Sequence, residues 1–312
     1  MKYCFGVDIG GTTVKIGLFE TNGTIVDKWE VPTRTANGGE AILPDVAKSL
    51  FDKLEALNIS KEDVTGVGIG VPAPVNSEGV VKNTANLGWG YKEVTKEMEE
   101  LTGFPSKAGN DANVATLGEM WLGAGKGQKN MVMMTLGTGV GGGVIIDGKP
   151  LVGQNGAGGE IGHLCMNYEE TESCGCGKKG CLEQYASATG IARLARKRLA
   201  KNDDATILRG QEISAKTVFD ALKEGDAVAE EIVEEFGYYL GAAAANIAAV
   251  VDPSVFVIGG GVSKAGEILL GYVEKNFQKN AFFADKDAKF VLAELGNDAG
   301  ICGAAKLVID AQ

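Results

Sequence analysis

The sequence is poor in histidine: its 312 residues include one, His163. Any role that needs an imidazole therefore falls on that position. Long apolar runs are also missing. The longest, Tyr238 to Val251, is too short and too alanine-rich to cross a bilayer, so no membrane partner is expected. Basic charge is in the minority, with 30 lysines and arginines against 41 acids and a net charge of −11. That balance argues against a nucleic-acid partner. The basic stretch Arg193 to Lys201 alternates its charges with Leu194, Ala195 and Leu199, and reads as the solvated face of an amphipathic helix. No leader with a cleavage-like segment precedes the apolar residues that end at Asp8, so a cytoplasmic protein is expected. No linker-like tract and no added N-terminal domain is visible.

Glycine is abundant, at 46 residues, well above ordinary usage. The glycines sit beside short apolar runs, which suggests backbone approaching ligands. The 45 % hydrophobic content provides an ample core, and the length favours two lobes.

The densest chemistry lies between Gly156 and Glu183, GAGGEIGHLCMNYEETESCGCGKKGCLE. It holds His163, Cys174, Cys176 and Cys181, with Glu160 and Glu183 beside glycines. One imidazole and three closely spaced thiols form a Cys3His set suited to tetrahedral Zn2+, and the intervening glycines permit tight turns. Taken singly, His163 could be a core histidine and the cysteines small hydrophobes. The reducing cytoplasm favours metal over disulfide for the cluster. Cys4, Cys165 and Cys302 lie in apolar contexts and read as packing residues.

Two stretches share one design. Residues 3–20, YCFGVDIGGTTVKIGLFE, read as a strand ending at Asp8, a Gly10-Gly11-Thr12-Thr13 turn and a second strand. Residues 131–146, MVMMTLGTGVGGGVII, repeat this around Gly137-Thr138-Gly139. Backbone amides of such turns can surround a phosphate, with Lys15 adding positive charge and Asp8 reaching Mg2+ through water. An ordinary hairpin would look the same. Gly137 to Gly142 also fits the dinucleotide fingerprint, but a strand follows where a helix is required. Gly143 to Lys149 nearly fits a P-loop, but Pro150 replaces the hydroxyl residue.

Elsewhere, Leu43 to Leu57 has helical spacing with Pro44 in the first turn, and Val64 to Val71 is a buried strand. KNTANLGW at Lys82 to Trp89 could offer Asn83, Thr84 and Asn86 to a sugar, or could be a turn packed under a tryptophan. Asp111, just before a helical pattern at Val114, could be an N-cap. Ser214 to Gly225 and Asp226 to Val251 read as capped helices. Val255 to Ile258 delivers Gly259-Gly260-Gly261, which permits close approach of a flat base or ribose. A strand over 289–295 and a helix over 299–311 come last.

The Cys-X-Cys-Gly-X-X-Gly-Cys-Leu-Glu run, preceded by Glu160-Ile-Gly-His163, resembles the ROK family of sugar kinases and related repressors, and within it the zinc-containing bacterial glucokinases. The paired glycine hairpins resemble those of the actin-like ATPase fold, in which two ribonuclease-H-like α/β lobes bind ATP between them. The resemblance implies lobes of 1–117 plus 299–312 and of 118–298, the latter with a structural zinc loop. Structural zinc would be held by His163, Cys174, Cys176 and Cys181. Sugar contacts would come from Asn86, Asn110, Asp111, Glu160, His163 and Glu183, with Asp111 the catalytic base. ATP with Mg2+ would meet Asp8, Gly10, Gly11, Thr12, Thr13 and Lys15, then Gly137, Thr138 and Gly139, with adenosine at Gly259, Gly260 and Gly261. The implied reaction is phosphorylation of glucose at its 6-hydroxyl, by a homodimer as is common in the family. Another hexose remains an alternative. A repressor is disfavoured, because the first strand begins at once and the charge is acidic.

Overall fold

The computed structural model describes residues 2–311. The chain opens with strands β1 (Tyr3–Ile9), β2 (Thr13–Glu20) and β3 (Ile25–Pro32), helix α1 (Ile42–Ala56) and strand β4 (Val64–Val71). A short pair, β5 (Val80–Val81) and β6 (Lys92–Glu93), flanks the loop before α2 (Val94–Thr102), β7 (Ser106–Asn110) and α3 (Asp111–Leu122). Next come β8 (Met131–Leu136), β9 (Val140–Ile146), β10 (Lys149–Pro150), α4 (Glu183–Ala186), α5 (Ala188–Leu199), α6 (Ala215–Lys223) and α7 (Ala227–Val251). β11 (Val255–Gly259), α8 (Glu267–Asn280), β12 (Lys289–Leu292) and α9 (Ala299–Ile309) follow. The chain divides into two compact units. One comprises Met1–Lys129, Gly143–Gly159 and Glu294–Gln312; the other comprises Asn130–Gly142 and Glu160–Ala293.

The first sheet has the order β3-β2-β1-β4-β7. Tight turns join β1, β2 and β3 as antiparallel neighbours, whereas β4 and β7 pair parallel and need the helical crossovers that α1 and α2 supply. The two-residue period of β1 sends Phe5, Val7 and Ile9 into the main core with Leu43, Val46 and Leu50 of α1. Cys4 lies in a second cluster with Ile301, Cys302, Ala305 and Val308 of α9. On that second face the strands carry glycine where α9 comes closest. A Cβ on Gly6 would stand 1.9 Å from the Ile301 carbonyl oxygen, and one on Gly68 would stand 1.7 Å from that of Ala304.

The second sheet, β10-β9-β8-β11-β12, repeats the order of the first, strand for strand. Every residue of β11 is buried, as expected of a central strand with parallel neighbours on both sides. Among the helices, Ser214 and Thr217 form a reciprocal capping box at α6, and Asp226 caps α7 through the Ala229 N–H. No helix among the described residues is long and apolar enough to cross a membrane.

Two expectations need correction. The glycine excess serves helix packing as much as ligand approach, because Gly6, Gly68, Gly118, Gly241 and Gly303 all meet backbone of another element. Cys165 is a half-buried free thiol at the edge of the cysteine loop, its backbone paired antiparallel with that of Cys181, and is no core residue. Both look-alike motifs fail as anticipated: Val140–Ile146 is strand, and Lys149–Pro150 is strand β10.

Candidate active site and metal centre

In the first unit, Asp8 emerges near the end of β1 opposite Lys15 of β2. Burial pushes its carboxyl above the usual range, and the Lys15 ammonium pulls the other way. The following turn is closed by the Gly10 N–H donating to the Thr13 carbonyl at 3.0 Å, and Thr33 donates its hydroxyl to the Gly10 carbonyl. Gly11 and Thr12 are exposed at its tip. Asn86 stands next to this turn, since a Cβ on Gly11 would lie 3.5 Å from the Asn86 Cβ. The Lys82–Trp89 loop is a packed turn with an exposed polar tip. Thr84 and Trp89 exchange hydrogen bonds and the Trp89 indole donates to the Gly39 carbonyl, while Asn83 and Asn86 remain exposed.

Helix α3 starts earlier than its apolar pattern indicates, and the cap is Asn110, not Asp111. The Asn110 Oδ1 accepts from the Ala112 and Asn113 N–H groups at 3.0 and 3.1 Å. Its amide donates to the Ala73 carbonyl and to Asp111 Oδ1 at 3.0 Å. Asp111 is thus the first helical residue, held by its neighbour at a helix N-terminus, where a negative charge is favoured. Asn113, which the sequence left unassigned, donates from the same turn to the Gly158 carbonyl.

In the second unit, the Gly137 N–H donates to the Gly139 carbonyl at 2.9 Å, and the first turn of α5 clasps this turn through the Ala188 N–H and the Thr189 hydroxyl. Glu183 lies directly behind. Its Oε2 accepts from the Val140 N–H, and a Cβ on Gly139 would stand 2.0 Å from that oxygen. Its Oε1 accepts from the Cys174 thiol at 3.3 Å. One carboxylate therefore lies between the glycine turn and the cysteine loop, and its bond from the Cys174 thiol is one that a zinc-bound thiolate would give up.

The ligand atoms of His163, Cys174, Cys176 and Cys181 all lie within 4.8 Å of one another. The Cys176 and Cys181 sulfurs are 3.7 Å apart, close to the ~3.8 Å edge of a tetrahedron with Zn–S bonds of about 2.3 Å. His163 presents Nδ1 to Cys174, which leaves Nε2 as its other ring nitrogen. These donors fit a structural zinc ion. The loop has a scaffold of its own. Arg193 pairs with Glu170 and Glu172, Tyr185 donates its hydroxyl to Glu170, and Gln184 binds the Cys181 N–H and the Glu172 carbonyl.

Gly259 ends β11, and Gly260 and Gly261 follow it. Gly260 has φ +83°, and a Cβ there would lie 2.5 Å from the Leu136 carbonyl oxygen, so this glycine is required by backbone packing. Gly261 faces open space and borders a cavity of about 400 Å³ walled by Ser214, Phe219, Lys223, Val262 and Lys264. The sequence marked the glycines but not the α6 side of this cavity, whose residues look like an ordinary amphipathic helix.

The chain matches the ROK family over residues 4–311. It belongs to the ROK family. A glucokinase of Halalkalibacterium halodurans is 44 % identical over 98 % of this chain and 95 % of its own length. A glucokinase of Thermotoga maritima is 36 % identical over 97 % and 96 %. The crystal structure of a ROK family glucokinase from Streptomyces griseus in complex with glucose and AMPPNP is 34 % identical, covers 98 % of both chains and superposes with a TM-score of 0.74. The doubled sheet order and these ROK neighbours establish the actin-like ATPase fold.

Proposed function

We propose that this ROK protein is an ATP-dependent glucokinase that transfers the γ-phosphoryl group to the 6-hydroxyl of D-glucose, yielding glucose 6-phosphate and ADP. The observation that carries this reading is the 44 % identity, over almost the whole chain, to a glucokinase. Asn110-Asp111 at a helix start and Glu183 between the glycine turn and the cysteine loop support it.

In this reading Asp111 accepts the proton of the attacking hydroxyl. A carboxylate is a weak base towards an alcohol. In a loose transition state the proton moves late, so orientation contributes most, and Asn110 provides it by fixing Asp111 Oδ1. The turns at Gly10 to Thr13 and Gly137 to Gly139 offer N–H groups to the triphosphate. Asp8 would hold the water shell of Mg2+, which neutralises phosphate charge when bound. Asn86, Glu160, His163 and Glu183 would accept or donate to the other sugar hydroxyls, rejecting sugars that lack the partner group. Zinc on His163, Cys174, Cys176 and Cys181 would be a staple with no open position. The ~400 Å³ cavity beside Gly261 is the place for the adenosine moiety, with Phe219 as an apolar wall. A cytoplasmic homodimer is the expected assembly, and analytical ultracentrifugation checks the stoichiometry.

The deciding experiment is kcat/KM with Mg-ATP across glucose, mannose, fructose and N-acetylated amino sugars. A glucose preference of about 100-fold, near 3 kcal/mol, is expected. A better rate with another hexose would overturn the substrate, and no turnover with any sugar would overturn the kinase.

A further inference from the structure

Glu119 belongs to none of the groups above, yet it is fully buried, with 0 % exposure. A carboxylate out of water is costly unless its lone pairs are filled. Backbone fills them here. Oε1 accepts from the Leu295 N–H at 2.9 Å, and Oε2 accepts from the Ala124 and Glu294 N–H groups at 2.9 and 3.2 Å. The sequence makes room for this seat: a Cβ on Gly123 would stand 2.0 Å from Oε2. Two of the donors lie on the segment that leads into α9, so Glu119 clamps the far end of α3 to the approach of α9.

These helices approach most closely through glycine, and Trp121 and Leu122 of α3 pack beside that contact on Ile301, Cys302, Ala305 and Val308 of α9. A Cβ on Gly118 would lie 2.2 Å from the Ala299 carbonyl oxygen, and one on Gly303 would lie 1.7 Å from that of Val114. Such a contact fixes how closely two helices approach. The Glu119 clamp adds directional hydrogen bonds to this packing and so fixes the position of one helix along the other. Each helix also carries a group of the proposed reaction. Asp111 starts α3, about 12 Å along the axis from Glu119. Gly300, in the first turn of α9, presses on Asp8, where an added Cβ would stand 2.5 Å from the carboxylate.

We propose that Glu119 is a positioning residue for phosphoryl transfer, setting the register of α9 on α3 and thereby the place of Asp8 relative to Asp111. This rests on the kinase reading. Glu119→Gln places an amide N–H₂ against a backbone N–H donor, and Glu119→Asp shortens the reach by one methylene. Both are expected to lower kcat per folded molecule at least about tenfold. Both should raise the Mg2+ concentration for half-maximal rate at least about threefold, while calorimetric glucose affinity stays within about twofold.

A merely structural role would lower the folded fraction without moving the Mg2+ dependence. Hydrogen exchange gives a readout free of activity. In either variant the first turns of α9 and the Gly10 to Thr13 turn should exchange faster. Faster exchange confined to Glu294 and Leu295, with kcat and Mg2+ dependence unchanged, would overturn the proposal. Should neither variant fold, Gly123→Ala, whose added Cβ would stand 2.0 Å from Glu119 Oε2, disturbs the clamp without touching Asp8 or Asp111 and must give the same Mg2+ signature; an unchanged Mg2+ dependence would overturn the proposal. A wild-type chain inactive on every sugar would sink the kinase reading, while the exchange pattern would still decide the register.

Discussion

At the residue scale, the assignment most exposed to test is Asp111. Its position as first helical residue, held by the Asn110 amide at 3.0 Å, makes it part of a rigid turn. Asp111→Ala should therefore lower kcat by about 10²–10⁴-fold and leave calorimetric glucose affinity within a few-fold. A near-normal kcat would remove Asp111 from the mechanism. The pair was legible in the sequence, but the division of labour was not. Asn and Asp are equally good caps, and only the backbone angles decide which of two adjacent residues lies inside the helix. Glu119 and Gly123 were not legible for a similar reason. A glutamate in a helical pattern reads as solvent-facing, and its burial depends on a segment about 175 residues further along.

At the scale of elements, the cysteine loop depends on two separate restraints. The Cys3His cluster gathers residues 163–181, and the Arg193–Glu170–Tyr185 network docks the loop on α4 and α5. We expect one zinc per chain by atomic emission. Chelation should lower the melting temperature and weaken glucose binding together, with loss of exchange protection centred on residues 163–183. A metal-free protein with full stability and affinity would exclude the staple.

The docking network has its own pH signature. Burial acts to raise the Glu170 carboxyl. The Glu172 N–H, the Tyr185 hydroxyl and the Arg193 guanidinium outweigh it and hold the group down at about 2. A depressed carboxyl stabilises the fold fully above its unfolded value of about 4.3, and that contribution is lost as pH falls towards 2. In urea melts with chelator present throughout, wild type should lose more stability than Glu170→Gln between pH 5 and pH 2.5, taken as approximate limits of that window. Parallel acid limbs would show that the network is idle. The cysteine spacing made the Cys3His cluster readable in advance. The network was not, because Glu170 and Arg193 are ordinary charged residues until α5 folds back on the loop.

At the scale of the whole molecule, the doubled sheet order explains why the fold was readable. Each sheet opens on a glycine hairpin, and those hairpins carry their signal locally. The role of the remaining glycines was less accessible, since a glycine beside an apolar run looks the same whether a ligand or a helix covers it. The structure shows by the space around each which glycines a helix covers, and stability can test that. At Gly68 a methyl group would stand 1.7 Å from the Ala304 carbonyl oxygen. Backbone cannot yield there without lifting α9 from the sheet, so Gly68→Ala should cost about 3 kcal/mol or more. Gly271 lies exposed within α8 with nothing within 4 Å of an added Cβ. There alanine only restricts the unfolded chain and favours the helix, so Gly271→Ala should gain about 0.5–1 kcal/mol. Because α9 also seats Gly300 against Asp8, the Gly68 variant should lose Mg-ATP turnover even in the fraction that folds. The Gly271 variant should keep wild-type kinetics. Equal stability of the two variants in chemical denaturation would mean that α9 does not press on this face, and the account of the first unit would fail with it.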